Sequence, residues 1–297
     1  MDLLFSAQKG IGLTILRMKI NAMLEPSLGV WNDQDPAQAW IMHEAVKRGP
    51  VKLIASVWSP PAWMKTSGHT VGGSLGLEHY QHFADLLTHY VTQYASTNGV
   101  NIYAVSMSNE PDTDKSLTEM DPWDTCTWTS DQIASFLANN LSPTFAVNHV
   151  TTKVIAPEAS NWDHVEGCPP HTTCDPAPPG GPYLSETYAN PNALARLDIA
   201  AGHLYGGTAS TPFQKALNFG KKIWQTEVLG RHHVWDIDGA LDWAKDIHDG
   251  LTRAQISAWL WFILFDGAAD NELGGGLIGL RPAPGGIKTS LDFRQRN

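Results

Sequence analysis

Short apolar runs recur along the chain, and between them apolar residues return every three or four positions. Most runs are almost continuously apolar, like VKLIASV at 51–57, which is typical of strands buried on both faces. The runs predict seven strands, at 12–20, 51–57, 102–108, 153–157, 197–203, 222–227 and 256–264. Strands that alternate with helices predict a parallel sheet with right-handed crossovers.

Three of the intervening stretches show clear helical periodicity. Over 77–94 one helical face collects apolar side chains, namely Tyr80, Phe83, Ala84, Leu87, Tyr90 and Val91. A second helix is predicted at 130–141, with Ser130 as its N-cap. A third is predicted at 240–251.

Seven strand–helix units in one chain favour an α/β fold of the (β/α)₈ TIM-barrel type. A doubly wound sheet is less favoured because its glycine-rich phosphate loop is missing. Residues 1–9 are typical of the tail of a helix, and the polar stretch 281–297, with Pro282 and Pro284, predicts no closing helix. We therefore expect a single domain, 1–297, whose truncated barrel lacks its first strand and stays open there.

Composition excludes several classes of function. The chain is 42% hydrophobic and 17% charged, which is typical of a globular protein. Its formal net charge of −10 argues against nucleic acid or an anionic membrane surface as a partner, because both need concentrated positive charge. No apolar run is long enough to span a membrane, and the first residues do not resemble a signal peptide.

Cysteine and tryptophan usage leaves alternatives open. Cys168 and Cys174 bracket a short Pro-rich loop, where we expect a disulfide if the protein is exported, and Cys126 has no obvious partner. A metal site at that loop is less favoured, because one His beside two Cys lacks a fourth ligand. The 12 tryptophans belong partly to the core and partly, we expect, to flat surfaces that stack on sugars or bases.

Two glutamates stand at strand ends, where a parallel barrel places its active site. Glu110 follows the third predicted strand and Glu227 ends the sixth. A single strand-end glutamate is more often part of a loop ion pair. Two of them on the same rim match the pair of carboxyl groups, about 5–5.5 Å apart, that retaining glycoside cleavage requires.

Five segments around these strand ends carry a family resemblance. They are GIGLTILR at 10–17, ASVWSPPAWMK at 55–65, SMSNEPD at 106–112, GHLYG at 202–206 and WQTE at 224–227. In this order they resemble glycoside hydrolase family 30, a family of retaining barrel glycosidases, over nearly the whole chain. The resemblance implies that Glu110 is the acid/base, that Glu227 is the nucleophile and that no cofactor or metal is needed.

The same resemblance assigns roles to three neighbours. Asn109 would hydrogen-bond the 2-hydroxyl of the sugar, a contact that strengthens in the transition state. Tyr205 would lie near Glu227 and keep it ionised; the alternative is a tyrosine of the core. Trp261 would form the floor of the subsite beside the cleaved bond, although core packing explains this tryptophan equally well.

Further candidates have two interpretations each. His203 orients a carboxylate or a sugar hydroxyl, or is a buried histidine with its hydrogen bonds satisfied. Arg17 pairs with one of the glutamates, or with a backbone carbonyl at the bottom of the barrel. Trp58, Trp63 and Trp162 are candidate platforms for sugar rings.

The segments GHLYG and WQTEV are most similar to those of the xylan-cleaving members. Members that depend on glucuronic acid carry an Arg pair and a Tyr after strand 8, which bind its carboxylate. Phe265 and Asp266 stand there instead, and Asp266 would repel that group. We therefore expect an endo-β-1,4-xylanase without strict dependence on glucuronic acid, and without the family's appended β-sandwich.

Three alternatives remain open at this level. The chain is a β-1,6-glucanase, a galactanase or a glucosylceramidase of the same family; or it is a relic that binds glycans without cleaving them, because a strand is missing; or it is a metal- or nucleotide-dependent barrel enzyme, although no phosphate loop or ligand cluster supports this. A polymeric substrate cannot enter a cell, so the expected location is extracellular.

Overall fold

The computed structural model describes residues 1–120, 122–167, 180–230, 237–266, 277–282 and 289–292. Six parallel strands form one sheet in sequence order: β1 (Ile15–Ile20), β2 (Lys52–Val57), β3 (Ile102–Ser106), β4 (Lys153–Asn161), β5 (Ile199–Gly206) and β6 (Lys222–Gln225). A strand order that follows the sequence is the topology of a TIM barrel, which confirms the predicted fold class.

Helices and short turns alternate with the strands. The α-helices are α1 (Asp2–Phe5), α2 (Pro36–Val46), α3 (Tyr80–His89), α4 (Ala95–Thr97), α5 (Ser130–Phe136), α6 (Ser142–Val147), α7 (Asp163–Glu166), α8 (Ser185–Ala189), α9 (Pro191–Arg196), α10 (Gln214–Asn218) and α11 (Ile237–Thr252). Single π-helical turns at Tyr90–Tyr94 and Leu137–Leu141 join α3 to α4 and α5 to α6. Short 3₁₀ turns lie at Ala22–Leu24, Ala62–Met64 and Leu77–His79.

The seventh predicted strand, 256–264, is correctly placed but much shorter than predicted. Only an isolated parallel bridge, Gln225 to Trp259, continues the sheet beyond β6. Backbone bonds of 3.0 Å from Gln225 to Ala258 and from Leu260 to Gln225 hold this segment in register. Within the described part of the chain no pairing joins it to β1, so the barrel is open at that side, as expected for a barrel without its first strand.

The helix over 130–141 begins as predicted, but its predicted cap is wrong. Ser130 is the first helical residue, and Thr129 is the N-cap. The Thr129 hydroxyl accepts from the backbone of Gln132 at 3.3 Å, and the Gln132 side chain accepts from the Thr129 amide at 2.8 Å. This reciprocal pair is a capping box, which satisfies two amides and outweighs a serine one position later.

Two other predictions concern the ends of the chain. Residues 1–9 do contain a helix, α1. For 281–297 the sequence predicted no closing helix. Its described residues belong to two strands, β8 (Ile278–Pro282) and β9 (Thr289–Asp292), which form an antiparallel pair beside β7 (Phe265–Asp266).

The barrel interior changes from apolar to polar along its strands, and this change positions the site. Its lower layer is apolar and includes Ile54, Ala104, Ile155, Ala201 and Trp224. Side chains on a strand return to the same face every second residue. Two positions further along, the inward-facing residues are therefore Ser56, Ser106 and His203, and on β1 Arg17 follows Ile15. Polar groups thus collect at the carboxyl ends of the strands.

A larger apolar cluster lies between the sheet and the surrounding helices. The predicted face over 77–94 contributes to it, since Tyr80, Phe83, Ala84, Leu87 and Tyr90 are all buried. Among the described residues, no helix combines the length and the apolar character that a membrane crossing needs.

Candidate active site

Glu110 and Glu227 meet at the carboxyl end of the barrel. Glu110 lies four residues beyond β3 and Glu227 two residues beyond β6, and both are buried. A carboxylate oxygen of each lies within 4.8 Å of the other and of a His203 ring nitrogen. The two glutamates that the sequence singled out therefore face one another across the barrel mouth.

Arg17 connects most of the polar groups at this end of the barrel. Its Nη1 donates to Glu227 Oε2 at 2.5 Å, and its Nη2 donates to Asn109 Oδ1 at 2.6 Å and to Glu158 Oε2 at 3.2 Å. Its Nε donates to the Ser56 hydroxyl at 3.0 Å. Of the two interpretations from sequence, the pairing of Arg17 with a glutamate is the one observed.

Two further contacts orient the groups around Glu227. The Tyr205 hydroxyl donates to Glu227 Oε1 at 2.8 Å, so both oxygens of this carboxylate accept hydrogen bonds. Burial and the charge of Glu227 raise the pKa of Tyr205, which therefore stays a neutral donor. Because Asn109 Oδ1 faces Arg17, its NH₂ group is the donor that remains for a ligand.

His203 is fully buried beside Glu110, with Nδ1 3.1 Å from Glu110 Oε1. Burial lowers the pKa of His203, but the Glu227 and Glu110 carboxylates together outweigh burial and raise it above its usual value. A ring that carries its proton on Nδ1 donates to Glu110. Of the predicted roles, His203 orienting a carboxylate is the one that the geometry supports.

Glu158 is a site residue that the sequence did not single out. It lies within β4, is fully inaccessible to solvent and has a φ of 58°, and Glu110 also has a positive φ, 49°. Such backbone conformations cost free energy in non-glycine residues and concentrate at functional sites. The available signal was a carboxylate directly after the predicted strand at 153–157, where a parallel barrel places its active-site residues.

The candidate sugar platforms have different environments. Trp58 is half-buried, and the Arg17 guanidinium lies 4.5 Å from its ring centroid. Trp63 donates its indole N–H to the Glu25 carbonyl at 2.9 Å and packs against His79 and His82, which ties the loop after β1 to the loop after β2. These contacts give Trp63 a structural role.

Trp162 and Trp261 differ in how deeply their rings are buried. Trp162 is only 2% exposed, stacks on Phe213 with centroids 4.1 Å apart and donates to the Thr211 carbonyl at 3.1 Å. The prediction that Trp162 is a sugar platform is therefore wrong, because no ring face is available. Trp261 is half-buried and packs edge-on against Trp243 on α11. Its role as the floor of a subsite stays a prediction.

Trp162→Ala is expected to destabilise the protein by about 3–5 kcal/mol, because it deletes a large buried aromatic side chain. Urea unfolding followed by circular dichroism measures this loss. Trp58→Ala serves as the control, since Trp58 lies half-buried beside Arg17 and should affect oligosaccharide binding more than the free energy of unfolding. A stable Trp162→Ala protein with weakened oligosaccharide binding would restore the platform interpretation.

Glu110, His203 and Glu227 lie close enough together to bind a metal ion. Glu110, His203 and Glu227 each offer one ligand atom within 4.8 Å of the others, a cluster that the sequence did not reveal. Arg17 already places a positive charge against Glu227 Oε2, and Tyr205 donates to Oε1. Both oxygens are therefore held as hydrogen-bond acceptors, which suits an ionised nucleophile better than a metal ligand.

Two sequence-based predictions concern residues whose side chains are not described. Cys168 and Cys174, with the expected disulfide, lie outside the described residues, as does the side chain of Asp266. The third cysteine, Cys126, is a buried free thiol, and burial raises its pKa to about 11. The Asp266 argument about glucuronic acid stays a prediction.

The sequence of the chain is similar to a glycoside hydrolase family model and to several known glycoside hydrolases. Residues 30–156 match the family model described as the glycosyl hydrolase family 30 TIM-barrel domain. Over 270 residues the chain is 28% identical to a glucuronoxylanase of Bacillus subtilis, covering 87% of this chain and 54% of that protein. A 133-residue match, at 28% identity, joins it to an endo-1,6-β-D-glucanase of Neurospora crassa, over 43% of this chain and 25% of that protein.

Among solved structures, the chain is similar to a glycoside hydrolase family 30 subfamily 8 xylanase from Clostridium acetobutylicum. The TM-score is 0.71 at 30% sequence identity, and the match covers 93% of this chain and 61% of that one. The chain spans about half the length of the curated glucuronoxylanases that it matches.

Proposed function

We propose that the chain is a member of glycoside hydrolase family 30, whose model matches residues 30–156, and that it hydrolyses β-linked plant polysaccharide with net retention at the anomeric carbon. The substrate we propose is β-1,4-xylan, cleaved internally and without strict dependence on glucuronic acid. The observation that carries the proposal is the approach of Glu110 and Glu227 to within 4.8 Å at the carboxyl end of the barrel. A polymer of this kind is degraded outside the cell, so we propose an extracellular location.

In the proposed reaction, ionised Glu227 attacks the anomeric carbon while Glu110 donates its proton to the leaving oxygen. The glycosidic bond breaks, and an ester forms between Glu227 and the sugar. Glu110, now a carboxylate, then takes a proton from water, whose oxygen attacks the same carbon and releases Glu227. Two inversions at one carbon give net retention.

The neighbouring contacts support these roles. The donors Arg17 and Tyr205 bind both carboxylate oxygens of Glu227 and fix the direction of its attack. The Asn109 NH₂ group suits the oxygen of the 2-hydroxyl as an acceptor, because its own oxygen is occupied by Arg17. Hydrogen bonds to that hydroxyl strengthen as the oxocarbenium-like transition state forms.

The test includes two other functions. Relatives over parts of the chain include an endo-1,6-β-D-glucanase and a lysosomal acid glucosylceramidase of Mus musculus, so another linkage is the second candidate. The third candidate is a protein that binds glycans without cleaving them.

Reducing-sugar release from glucuronoxylan, unsubstituted xylan, β-1,6-glucan and galactan, and glucose release from glucosylceramide, test the proposal. We expect comparable rates on the two xylans and little release from the others. Proton NMR in the first minutes should show the β-anomer of the product before mutarotation. Activity on glucuronoxylan alone contradicts the proposed specificity, and a higher rate on β-1,6-glucan changes the linkage. Binding of xylo-oligosaccharides with no release above that of a Glu110→Gln/Glu227→Gln control supports the binding-only alternative.

A further inference from the structure

Glu158 contacts the proposed catalytic machinery through two different groups. Its backbone carbonyl accepts a hydrogen bond of 2.9 Å from the amide of Glu110. Its carboxylate lies against Arg17, with Oε2 3.2 Å from Nη2 and Oε1 3.2 Å from Nε. Glu158 is thus joined to Glu110 through the main chain and to Glu227 through one shared guanidinium.

The environment of Glu158 keeps it ionised. Burial raises its pKa, but the charges of Arg17 and His203 and the nearby hydroxyls of Ser56 and Ser106 outweigh burial and hold the pKa below its usual range. Removing such a carboxylate from water is costly unless it is paired and hydrogen-bonded. Retention of a strained, charged residue inside β4 therefore indicates a task beyond packing.

Arg17 carries one positive charge and faces two carboxylates. Its Nη1 is bonded to Glu227, while Nη2 and Nε lie against Glu158. With Glu158 present, its negative charge offsets much of the field that Arg17 exerts on Glu227. Without it, Glu227 would face an unshared cation, which stabilises the ionised form and makes it a weaker nucleophile.

We propose that Glu158 is a positioning residue that shares Arg17 with Glu227, so that the nucleophile stays ionised yet reactive, while its backbone fixes Glu110. The inference rests on the proposed function, in which Glu227 attacks the sugar. In this proposal the buried Glu158 carboxylate determines how much of the Arg17 charge acts on Glu227. The other titratable groups that face Glu227 are Tyr205, His203 and Glu110.

Glu158→Gln tests the proposal, because it removes the charge and keeps the shape of the side chain. We expect the acid limb of the kcat/KM profile to move about 1 pH unit lower, since loss of a nearby like charge favours ionisation of Glu227. We expect kcat to fall about 10-fold with KM little changed. A folded Glu158→Gln protein with an unmoved pH profile overturns the proposal.

A second readout does not depend on hydrolysis. In protein labelled with ¹³C-carboxyl glutamate, the signals of Glu227 and Glu158 are assigned by their loss in Glu227→Asp and Glu158→Asp. The Glu227 titration midpoint should lie about 1 unit lower in Glu158→Gln than in the wild type. If xylan is not cleaved at all, the proposed function fails while this shift still tests the sharing of Arg17.

Two comparisons complete the design. Glu25→Gln makes the same substitution at another buried glutamate, which accepts from the Gly29 amide at 2.8 Å, and should leave both readouts unmoved. If Glu158→Gln does not fold, the wild-type spectrum decides the matter. The Glu158 signal must then stay ionised throughout the pH range in which Glu227 titrates, and a Glu158 carboxyl that takes up its proton above Glu227 contradicts the proposal.

Discussion

Glu227→Ala is expected to lower polysaccharide hydrolysis by about 10⁴-fold or more, the scale seen when a covalent nucleophile is deleted. Added azide is expected to restore cleavage of an activated aryl glycoside. Azide fits the space that the carboxylate leaves and attacks the anomeric carbon from the same side, as the aryl group departs. Because only one displacement then occurs, the product should be the α-glycosyl azide, which proton NMR identifies.

The structure explains why this variant should still fold. Arg17 loses Glu227 but keeps Glu158 within 3.2 Å, so no buried cation is left without a partner. Glu78→Ala is the matched control, since the Glu78 side chain is 75% exposed and its loss should leave activity unchanged. A Glu227→Ala protein that retains activity, or one that forms the β-glycosyl azide, removes Glu227 from the role of nucleophile.

The strand positions and the two facing glutamates could be predicted from sequence because both follow from the pattern of buried parallel strands. Buried parallel strands are continuous apolar runs, and the ends of such strands meet at one rim. Glu110 and Glu227 were therefore placed together without any knowledge of the helices between them. Arg17 was a candidate only through the resemblance of the segment 10–17. Its place two residues after Ile15 along β1 explains why its side chain faces the site.

Features that depend on loops from elsewhere in the chain could not be predicted this way. Trp162 follows an apolar run as a rim residue does, but Phe213 stacks on its ring and buries it. Glu158 directly follows the predicted strand at 153–157, but its partners, Arg17 and the amide of Glu110, come from other parts of the chain. In both cases the role of the residue depends on tertiary neighbours that the local pattern does not show.

Arg17 links several strands of the sheet. It lies on β1, and its bonds reach Asn109 and Glu227, beyond β3 and β6, and Glu158 within β4. These buried charge contacts therefore connect the position of β1 to the geometry of the proposed nucleophile.

Glu110→Gln is expected to slow hydrolysis of xylan by about 10²–10⁴-fold, the usual contribution of a general acid–base group. An alkoxide of sugar is a poor leaving group and needs the proton that glutamine cannot supply. An activated aryl glycoside leaves without a proton, so its first step should be nearly unaffected. The second step lacks its base, and the glycosyl–enzyme ester should accumulate, visible as a burst of the aryl alcohol and by intact-protein mass spectrometry.

The contrast between the two variants tests which carboxylate is the nucleophile and which is the acid/base. Azide should also accelerate Glu110→Ala, but by attacking the glycosyl–enzyme ester, so that its product is the β-glycosyl azide. The alkaline limb of the pH profile should disappear, because the proton donor is gone. If Glu110→Ala instead gives the α-glycosyl azide, and Glu110→Gln accumulates no ester, the two carboxylates exchange roles. His203, 3.1 Å from Glu110 Oε1, would then support the nucleophile, and Arg17 would bind the acid.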